Sequence, residues 1–161
     1  LNIATVVISK TPSQPTPINL PAKKRIGGGG GAAALFSQET NTLFLGWHAP
    51  SIGNVVRQEQ WQALNRLLQQ YQGATVFIMG DFNQDGQTIT TEQATFLQSH
   101  GLALSKNQTP TCPYYYVPFV KPKRLDHVFH QPARATITKE EFIRTYSDHK
   151  AVLTTFQLHS W

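Results

Sequence analysis

The sequence predicts an α/β fold in which a mixed sheet and helices form a layered sandwich. Two observations support this prediction. Short runs rich in β-branched and aromatic residues alternate with amphipathic segments of helical length, and turn-forming residues separate the two kinds of segment. The 161 residues, of which 40% are hydrophobic, suffice for one ordinary domain with one packed core. We therefore expect a single domain over residues 1–161.

Several segments have the composition of strands. Residues 32–36 and 42–47 flank a polar turn and predict a hairpin. Residues 75–79 form a continuous apolar run that ends at Gly80, which is typical of a buried central strand. Further strands are predicted at residues 3–8, 125–130 and 151–158.

Two segments have helical character. Asn54 is a suitable N-cap for a helix that runs to about Tyr71 and is stopped by Gly73, and its apolar residues recur at helical spacing. A shorter helix is expected over residues 91–100, ended by Gly101. Three segments rich in proline, glycine or tyrosine are expected to be connections, at residues 11–21, 27–31 and 109–122.

The composition excludes some classes of protein and favours others. The net charge of +5 agrees with an anionic partner such as nucleic acid or another phosphate ester, although a mildly basic soluble protein also explains it. Cys112 is the only cysteine, which excludes an internal disulfide and a cysteine-rich zinc site. No run of about 18 apolar residues occurs, so no membrane span is predicted. Nothing in the composition indicates a compartment.

The first polar motif follows the predicted strand at residues 75–79. Asp81 and Asn83 are two positions apart, so their side chains would leave an extended chain on the same side. A carboxylate beside an amide suits a hard cation and a phosphate oxygen, although both residues are also common turn formers. His48 ends the earlier strand at residues 42–47.

Two further motifs adjoin the last two strands. Asp148 and His149 are adjacent, which offers a metal ligand and a proton-transfer group side by side. Asp126 begins another strand and is placed to orient the His149 imidazole. Arg124, just before it, is a candidate contact for a substrate phosphate, or else part of a solvated basic loop. We expect all of these motifs to meet at one edge of the sheet if the last two strands run antiparallel to the earlier two.

These motifs in this order resemble a known signature. Residues 80–83 (Gly-Asp-Phe-Asn), 125–127 (Leu-Asp-His) and 147–149 (Ser-Asp-His) are similar to the C-terminal half of the deoxyribonuclease-like endonuclease/exonuclease/phosphatase superfamily. Within it, the run from the first strand through His48-Ala49 to Asn83 resembles the nuclease subunit of cytolethal distending toxins. The resemblance implies the layered α/β sandwich of the deoxyribonuclease-like type.

The resemblance also implies roles for the residues that match. Asp81 would position or activate the attacking water, and Asn83 would orient that water and the phosphate. Asp148, with Asp81 nearby, would bind Mg²⁺ or Mn²⁺. His149 would contact the scissile phosphate as a general base or as a stabiliser of the transition state, with Asp126 as its partner.

The implied activity is divalent-metal-dependent hydrolysis of phosphodiesters, with DNA as the expected substrate. His48 matches the histidine that assists the leaving group in the deoxyribonuclease and sphingomyelinase branches. The motifs do not separate this activity from a sphingomyelinase-like or inositol-phosphatase-like phosphohydrolase, because loops around a shared site set the substrate. A non-catalytic relative that lost part of its metal site is the third alternative.

One expected element of the superfamily has no match in the sequence. Family members carry an N-terminal half whose glutamate is a principal metal ligand, and Glu39 lies in a predicted turn, where it is a poor substitute. The chain also opens at Leu1 directly into a predicted strand. We therefore expect a fragment, one chain of a two-chain enzyme or a degenerate relative, with activity only when an N-terminal half is supplied.

Overall fold

The computed structural model describes residues 31–51, 54–112, 119 and 121–159, without the side chains of Asn54 and Val56. The chain divides into two compact units, with the boundary after Asn83. The predicted strand at residues 3–8, the predicted connection at residues 11–21, residues 27–30 of the glycine-rich segment, and Tyr114 to Tyr116 lie outside the described residues. Gly31, the last residue of the glycine-rich segment, lies in a strand and not in a connection.

In the described part of the first unit, three strands form a mixed sheet. Strands β1 (Gly31–Ser37) and β2 (Thr42–His48) form the predicted antiparallel hairpin. Strand β3 (Thr75–Asp81) then pairs with β2 in parallel. Parallel neighbours need a crossover connection, and helix α1 (Asn54–Gln70) supplies it. Because β2 and β3 are parallel and adjacent, their carboxyl ends lie side by side.

The core of the first unit includes an aromatic cluster. Trp47 on β2 packs edge-on against Trp61 of α1, with ring centroids 4.4 Å apart, and against Phe82, at 5.0 Å. All three side chains are buried, and the indole N–H of Trp47 donates to Gln60 Oε1 at 3.2 Å. This cluster joins the helix to the ends of both parallel strands.

Among its described residues, the second unit has two short helices and two pairs of strands. Helix α2 (Gly86–Glu92) is capped by Asp85, whose carboxylate accepts from the Thr88 amide at 3.0 Å. Helix α3 (Ala94–Ser99) follows. Strands β4 (Ala103–Leu104) and β5 (Asp126–His130) are antiparallel. Strands β6 (Ala135–Ile143) and β7 (Ala151–Leu158) form a second antiparallel pair, with a register shift between Ile137 and Lys139.

The predicted elements agree with the structure in most places. The hairpin, the long helix and the strands β3, β5 and β7 are confirmed to within a few residues. The single helix predicted at residues 91–100 is wrong, because the chain forms two helices and the first begins five residues earlier, at the cap provided by Asp85. Strands β4 and β6 were not predicted. β6 carries Lys139, Glu140 and Glu141 in succession, which hides its strand character.

No helix among the described residues is long and apolar enough to cross a membrane.

Candidate active site

Three predicted site residues of the first unit form one cluster at the ends of β2 and β3, named here the strand-end cluster (His48, Asp81 and Asn83). His48 and Asp81 are the last residues of their strands and are partners in the parallel register. His48 Nε2 lies 3.6 Å from Asp81 Oδ2, and the two side chains are 15% and 20% exposed. The sheet therefore places an imidazole beside a carboxylate, both partly accessible to solvent.

Asn83 joins this cluster through a turn. Its φ angle of 51° lies in the left-handed region, which asparagine tolerates better than most residues. The Asn83 amide donates to Asp81 Oδ1 at 2.8 Å, and its side-chain Nδ2 donates to the Ala49 carbonyl at 2.8 Å and lies 3.5 Å from His48 Nε2. The expectation of an extended chain from Asp81 to Asn83 is wrong. The residues are brought together by an Asx turn, in which Asp81 is also the turn former.

Gly80 is required where β3 passes close to β2. Its φ angle is 139°, and a Cβ atom there would lie 2.0 Å from the Trp47 carbonyl oxygen. Two residues on, the buried Phe82 ring packs on Trp47. The backbone that carries Asp81 is therefore fixed by the core on both sides of the carboxylate.

Three of the four remaining candidates, all in the second unit, are named here the turn cluster (Asp126, Asp148 and His149). Asp126 begins β5, and His149 lies in the turn between β6 and β7. His149 Nδ1 is 2.7 Å from Asp126 Oδ2, and the side chains are 23% and 18% exposed. The predicted hydrogen bond between them is confirmed. A carboxylate on Nδ1 fixes the imidazole tautomer that has its basic nitrogen at Nε2.

The turn that carries His149 is held by side-chain hydroxyls. Thr145 Oγ1 donates to the His149 carbonyl at 2.7 Å and accepts from the Ser147 amide at 3.1 Å. Ser147 Oγ accepts from the His149 amide at 3.2 Å and donates to Asp148 Oδ1 at 3.1 Å. Asp148 is exposed, so its carboxylate projects into solvent from an ordered turn.

Arg124 does not occupy the position predicted for it. Its side chain is 4% exposed, and Nη2 donates to Ser105 Oγ at 2.8 Å and lies 3.6 Å from Glu140 Oε1. Its guanidinium also lies over the Phe142 ring, 5.5 Å from the centroid. Burial lowers the pKa of Arg124, while the carboxylates of Glu140 and Asp126 oppose this shift. The interpretation of Arg124 as a phosphate contact is therefore wrong, because the guanidinium faces protein partners instead of solvent.

Some residues around the turn cluster have no counterpart in the sequence analysis. Glu140 is a buried acid on a strand that was not predicted, and Thr111 is fully buried in a segment expected to be a loop. No spacing or motif signals either one. His127, the last residue of the Leu-Asp-His motif, is buried, and its Nε2 lies 2.9 Å from the Gln84 carbonyl oxygen. A cavity of about 430 Å³ near β4 and β6 contains none of the predicted site residues.

The types of donor atom in the two clusters fit a divalent cation. Asp81 is partly exposed and Asp148 is exposed, and both offer carboxylate oxygens. Mg²⁺ takes one or two protein carboxylates and completes its coordination with water and substrate phosphate, and Mn²⁺ accepts the same ligand types. Asp81, Asp126 and Asp148 each present carboxylate oxygens of this ligand type.

Comparisons with solved structures show the fold. The catalytic domain of human nocturnin, with a bound sulfate anion, is 16% identical with a TM-score of 0.59, over 81% of this chain and 53% of that one. TDP2 of D. rerio, complexed with a single-strand DNA product, is 18% identical with a TM-score of 0.55, over 80% and 61%. The endonuclease domain of TRAS1, a telomere-specific non-LTR retrotransposon, is 12% identical with a TM-score of 0.59, over 76% and 59%.

These structures share the α/β sandwich fold with the chain, which spans between half and two thirds of their length. No curated protein matches by sequence. The sequence model of the Endonuclease/Exonuclease/phosphatase family matches residues 5–149, a stretch that includes both clusters. By this match over most of its length, the chain belongs to the endonuclease/exonuclease/phosphatase family.

Proposed function

We propose that this protein is a divalent-metal-dependent phosphodiesterase that hydrolyses DNA. The observation that carries the proposal is the hydrogen bond of 2.7 Å between Asp126 and His149. A partly buried carboxylate bound to a partly exposed imidazole is the arrangement of a histidine oriented for proton transfer or for charge stabilisation. Because the chain belongs to a family of nucleases and phosphatases, phosphate esters are the substrates on which we expect this histidine to act.

In this proposal the turn cluster supplies the group that acts on phosphorus. His149, oriented by Asp126, takes a proton from the attacking water or stabilises the charge that develops on the phosphate oxygens. Asp148, whose carboxylate is exposed on the same turn, would hold the metal ion. When bound, the ion would neutralise negative charge on the phosphate in the transition state.

The strand-end cluster serves the same reaction in this proposal. Asp81 positions the attacking water and would contribute to metal binding, and Asn83 orients the phosphate. His48, with its Nε2 3.6 Å from Asp81 Oδ2, assists the leaving group by delivering a proton to its oxygen. The motif order and the family match across residues 5–149 support the assignment of both clusters to one reaction.

DNA is proposed as the substrate on two grounds. The net charge of +5 favours a polyanion over a neutral head group. The fold is also shared with the endonuclease domain of TRAS1 and with TDP2, which was crystallised with a DNA product. Lipid head groups and inositol phosphates are the substrates against which this choice has to be tested.

The test is nicking of supercoiled plasmid with Mg²⁺ and with chelator, using the 161-residue chain and the chain extended by any residues that its gene encodes upstream. His149→Ala should reduce chelator-sensitive nicking by at least about 100-fold. His159→Ala is the matched control and should leave the rate within about twofold. The His159 imidazole is bonded to the Thr136 hydroxyl and the Ala133 carbonyl, neither of which belongs to a cluster.

Other outcomes of this experiment contradict the proposal. Faster hydrolysis of sphingomyelin or of inositol polyphosphates than of plasmid would replace DNA with the sphingomyelinase-like or phosphatase-like alternative. Nicking that continues in the presence of chelator, or equal activity of His149→Ala and His159→Ala, would contradict the proposed mechanism. Inactivity of both forms of the protein on all of these substrates would favour a non-catalytic relative.

A further inference from the structure

Thr111 is a fully buried residue of the second unit that contacts both segments of the turn cluster. Its hydroxyl oxygen accepts the backbone N–H of Leu125 at 3.0 Å and that of Asp126 at 3.1 Å. A threonine hydroxyl has two acceptor lone pairs, so both are used on consecutive amides. The side chain of Thr111 thus fixes the backbone that carries the Asp126 carboxylate.

The main chain of Thr111 binds the other segment. Its carbonyl accepts the N–H of Lys150 at 2.8 Å, and Lys150 directly follows His149. One residue therefore holds Asp126 through its hydroxyl and the His149 segment through its carbonyl. The hydrogen bond of 2.7 Å between Asp126 and His149 closes this ring of contacts.

Thr111 is itself held in place. The amides of Thr111 and Cys112 both donate to the Lys123 carbonyl, at 3.1 and 2.9 Å, and the Lys123 amide donates to the Cys112 carbonyl at 3.0 Å. Thr111 is 0% exposed. Because burial and these hydrogen bonds hold Thr111 in place, Thr111 fixes the positions of the backbone amides that it binds.

We propose that Thr111 is a positioning residue that sets the distance and orientation of the Asp126–His149 pair. The proposal requires a hydroxyl oxygen on the β-carbon of residue 111, because that oxygen accepts from the buried amide of Leu125 and from the partly buried amide of Asp126. The proposal deepens the proposed function, since the consequence for catalysis depends on His149 acting on the phosphate. Residues that orient the ligands of a metal ion typically affect activity by about 10- to 100-fold, and we expect an effect of this order for a residue that orients a reacting histidine.

The experiment compares Thr111→Val with Thr111→Ser. Valine keeps the shape but removes the acceptor, whereas serine keeps the hydroxyl. We expect kcat for plasmid nicking to fall by at least about tenfold in Thr111→Val with KM nearly unchanged, and to be restored to within about threefold in Thr111→Ser. Equal rates for the two variants would overturn the proposal.

A double-mutant comparison separates positioning from a general effect on the fold. In a His149→Ala background, Thr111→Val should reduce the residual rate by less than about twofold, because the group that it positions is gone. The same tenfold loss in both backgrounds would show that Thr111 acts on the protein as a whole and would contradict the proposal.

The third readout does not depend on activity. In NMR spectra of the unliganded protein, the proton between His149 Nδ1 and Asp126 should give a downfield signal that persists in Thr111→Ser and broadens or disappears in Thr111→Val. If Thr111→Val does not fold, Thr111→Ala takes its place, since water can then reach the two amides. If the wild-type protein is inactive but the signal persists in Thr111→Ser and is lost in Thr111→Val, the proposed function is contradicted and the positioning role is supported. If the signal is the same in both variants as in the wild type, the positioning role alone is contradicted.

Discussion

The strand-end cluster and the turn cluster hold their side chains by different means. In the strand-end cluster, His48 and Asp81 are partners in a sheet register, and the aromatic core around Trp47 fixes the backbone beneath them. In the turn cluster, Asp126 and His149 depend on hydroxyl groups, those of Thr111, Thr145 and Ser147.

This difference has an energetic consequence. Packing around the strand-end cluster is part of the hydrophobic core, so its disruption should cost stability as well as activity. The hydroxyls of Thr145 and Ser147 are exposed. Their removal should therefore shift the turn that carries His149 more than it lowers the free energy of unfolding. The following predictions test this contrast.

The largest effect is expected at Asp81. Asp81→Ala should reduce plasmid nicking by roughly 1,000-fold, about 4 kcal/mol of barrier, because it removes a proposed ligand and the carboxylate beside His48. Asp85→Ala is the matched control. It removes the cap of α2, at about 1 kcal/mol of stability, and should leave the rate within about threefold. Similar losses in both variants would show that the carboxylate at residue 81 has no special role.

The strand-end cluster, which depends on core packing, should be sensitive to substitution of Gly80. Gly80→Ala should reduce the free energy of unfolding by about 3 kcal/mol or more, because the added Cβ would lie 2.0 Å from the Trp47 carbonyl oxygen. Gly101→Ala is the comparison, since Gly101 also has a positive φ but a Cβ added there would meet no atom of the described residues within 4 Å. It should cost about 1 kcal/mol. Urea denaturation measures both, and equal losses would contradict the close approach of the strands.

In the turn cluster, substitution of Ser147 should lower activity with little loss of stability. Ser147→Ala removes the acceptor for the His149 amide and the donor to Asp148, and should lower nicking by about tenfold, or about 1.4 kcal/mol of barrier. The free energy of unfolding should change by less than about 1 kcal/mol, since the turn is exposed. Ser99→Ala, at an exposed helix end, should change neither quantity. A loss of stability in Ser147→Ala equal to that of Gly80→Ala would abolish the contrast between the clusters.

The smallest effect concerns pH. Burial lowers the pKa of His127, opposed by its bond to the Gln84 carbonyl, so the folded protein binds fewer protons than the unfolded chain. The contribution of His127 to stability is therefore complete above about pH 6.5 and is lost as the pH falls toward the folded pKa, by at most about 1.4 kcal/mol per pH unit.

His127→Gln should flatten this dependence below about pH 6.5 when unfolding is followed in urea. Some slope should remain, because burial also lowers the pKa of His100 and of His130. An unchanged slope in the variant would show that His127 does not exchange a proton on unfolding.

The sequence was most informative where apolar patterning and chemistry coincide. The run at residues 75–79 predicted β3, and a strand that ends in Gly80 and Asp81 also predicted a polar strand end. The Asp126–His149 hydrogen bond was predictable because both residues adjoin strands in recognisable motifs.

What could not be predicted depends on contacts between distant residues. Arg124 looked like an accessible cation because its ion pair with Glu140 joins residues 16 positions apart on a strand with weak apolar patterning. The role of Thr111 depends on hydrogen bonds to residues 14, 15 and 39 positions away, in a segment whose composition indicated only a loop. Local sequence patterns carry no information about such partners.

The burial of Cys112 provides a means to observe the turn cluster in motion. It is the chain's only cysteine, it is 4% exposed, and it adjoins Thr111 in the backbone. A thiol reagent can reach it only when this segment opens, so the labelling rate under native conditions reports the free energy of that opening. This 161-residue chain therefore carries a single chemical reporter beside the residue that joins Asp126 to the His149 turn, and no engineered cysteine is needed in it to follow how often that connection breaks.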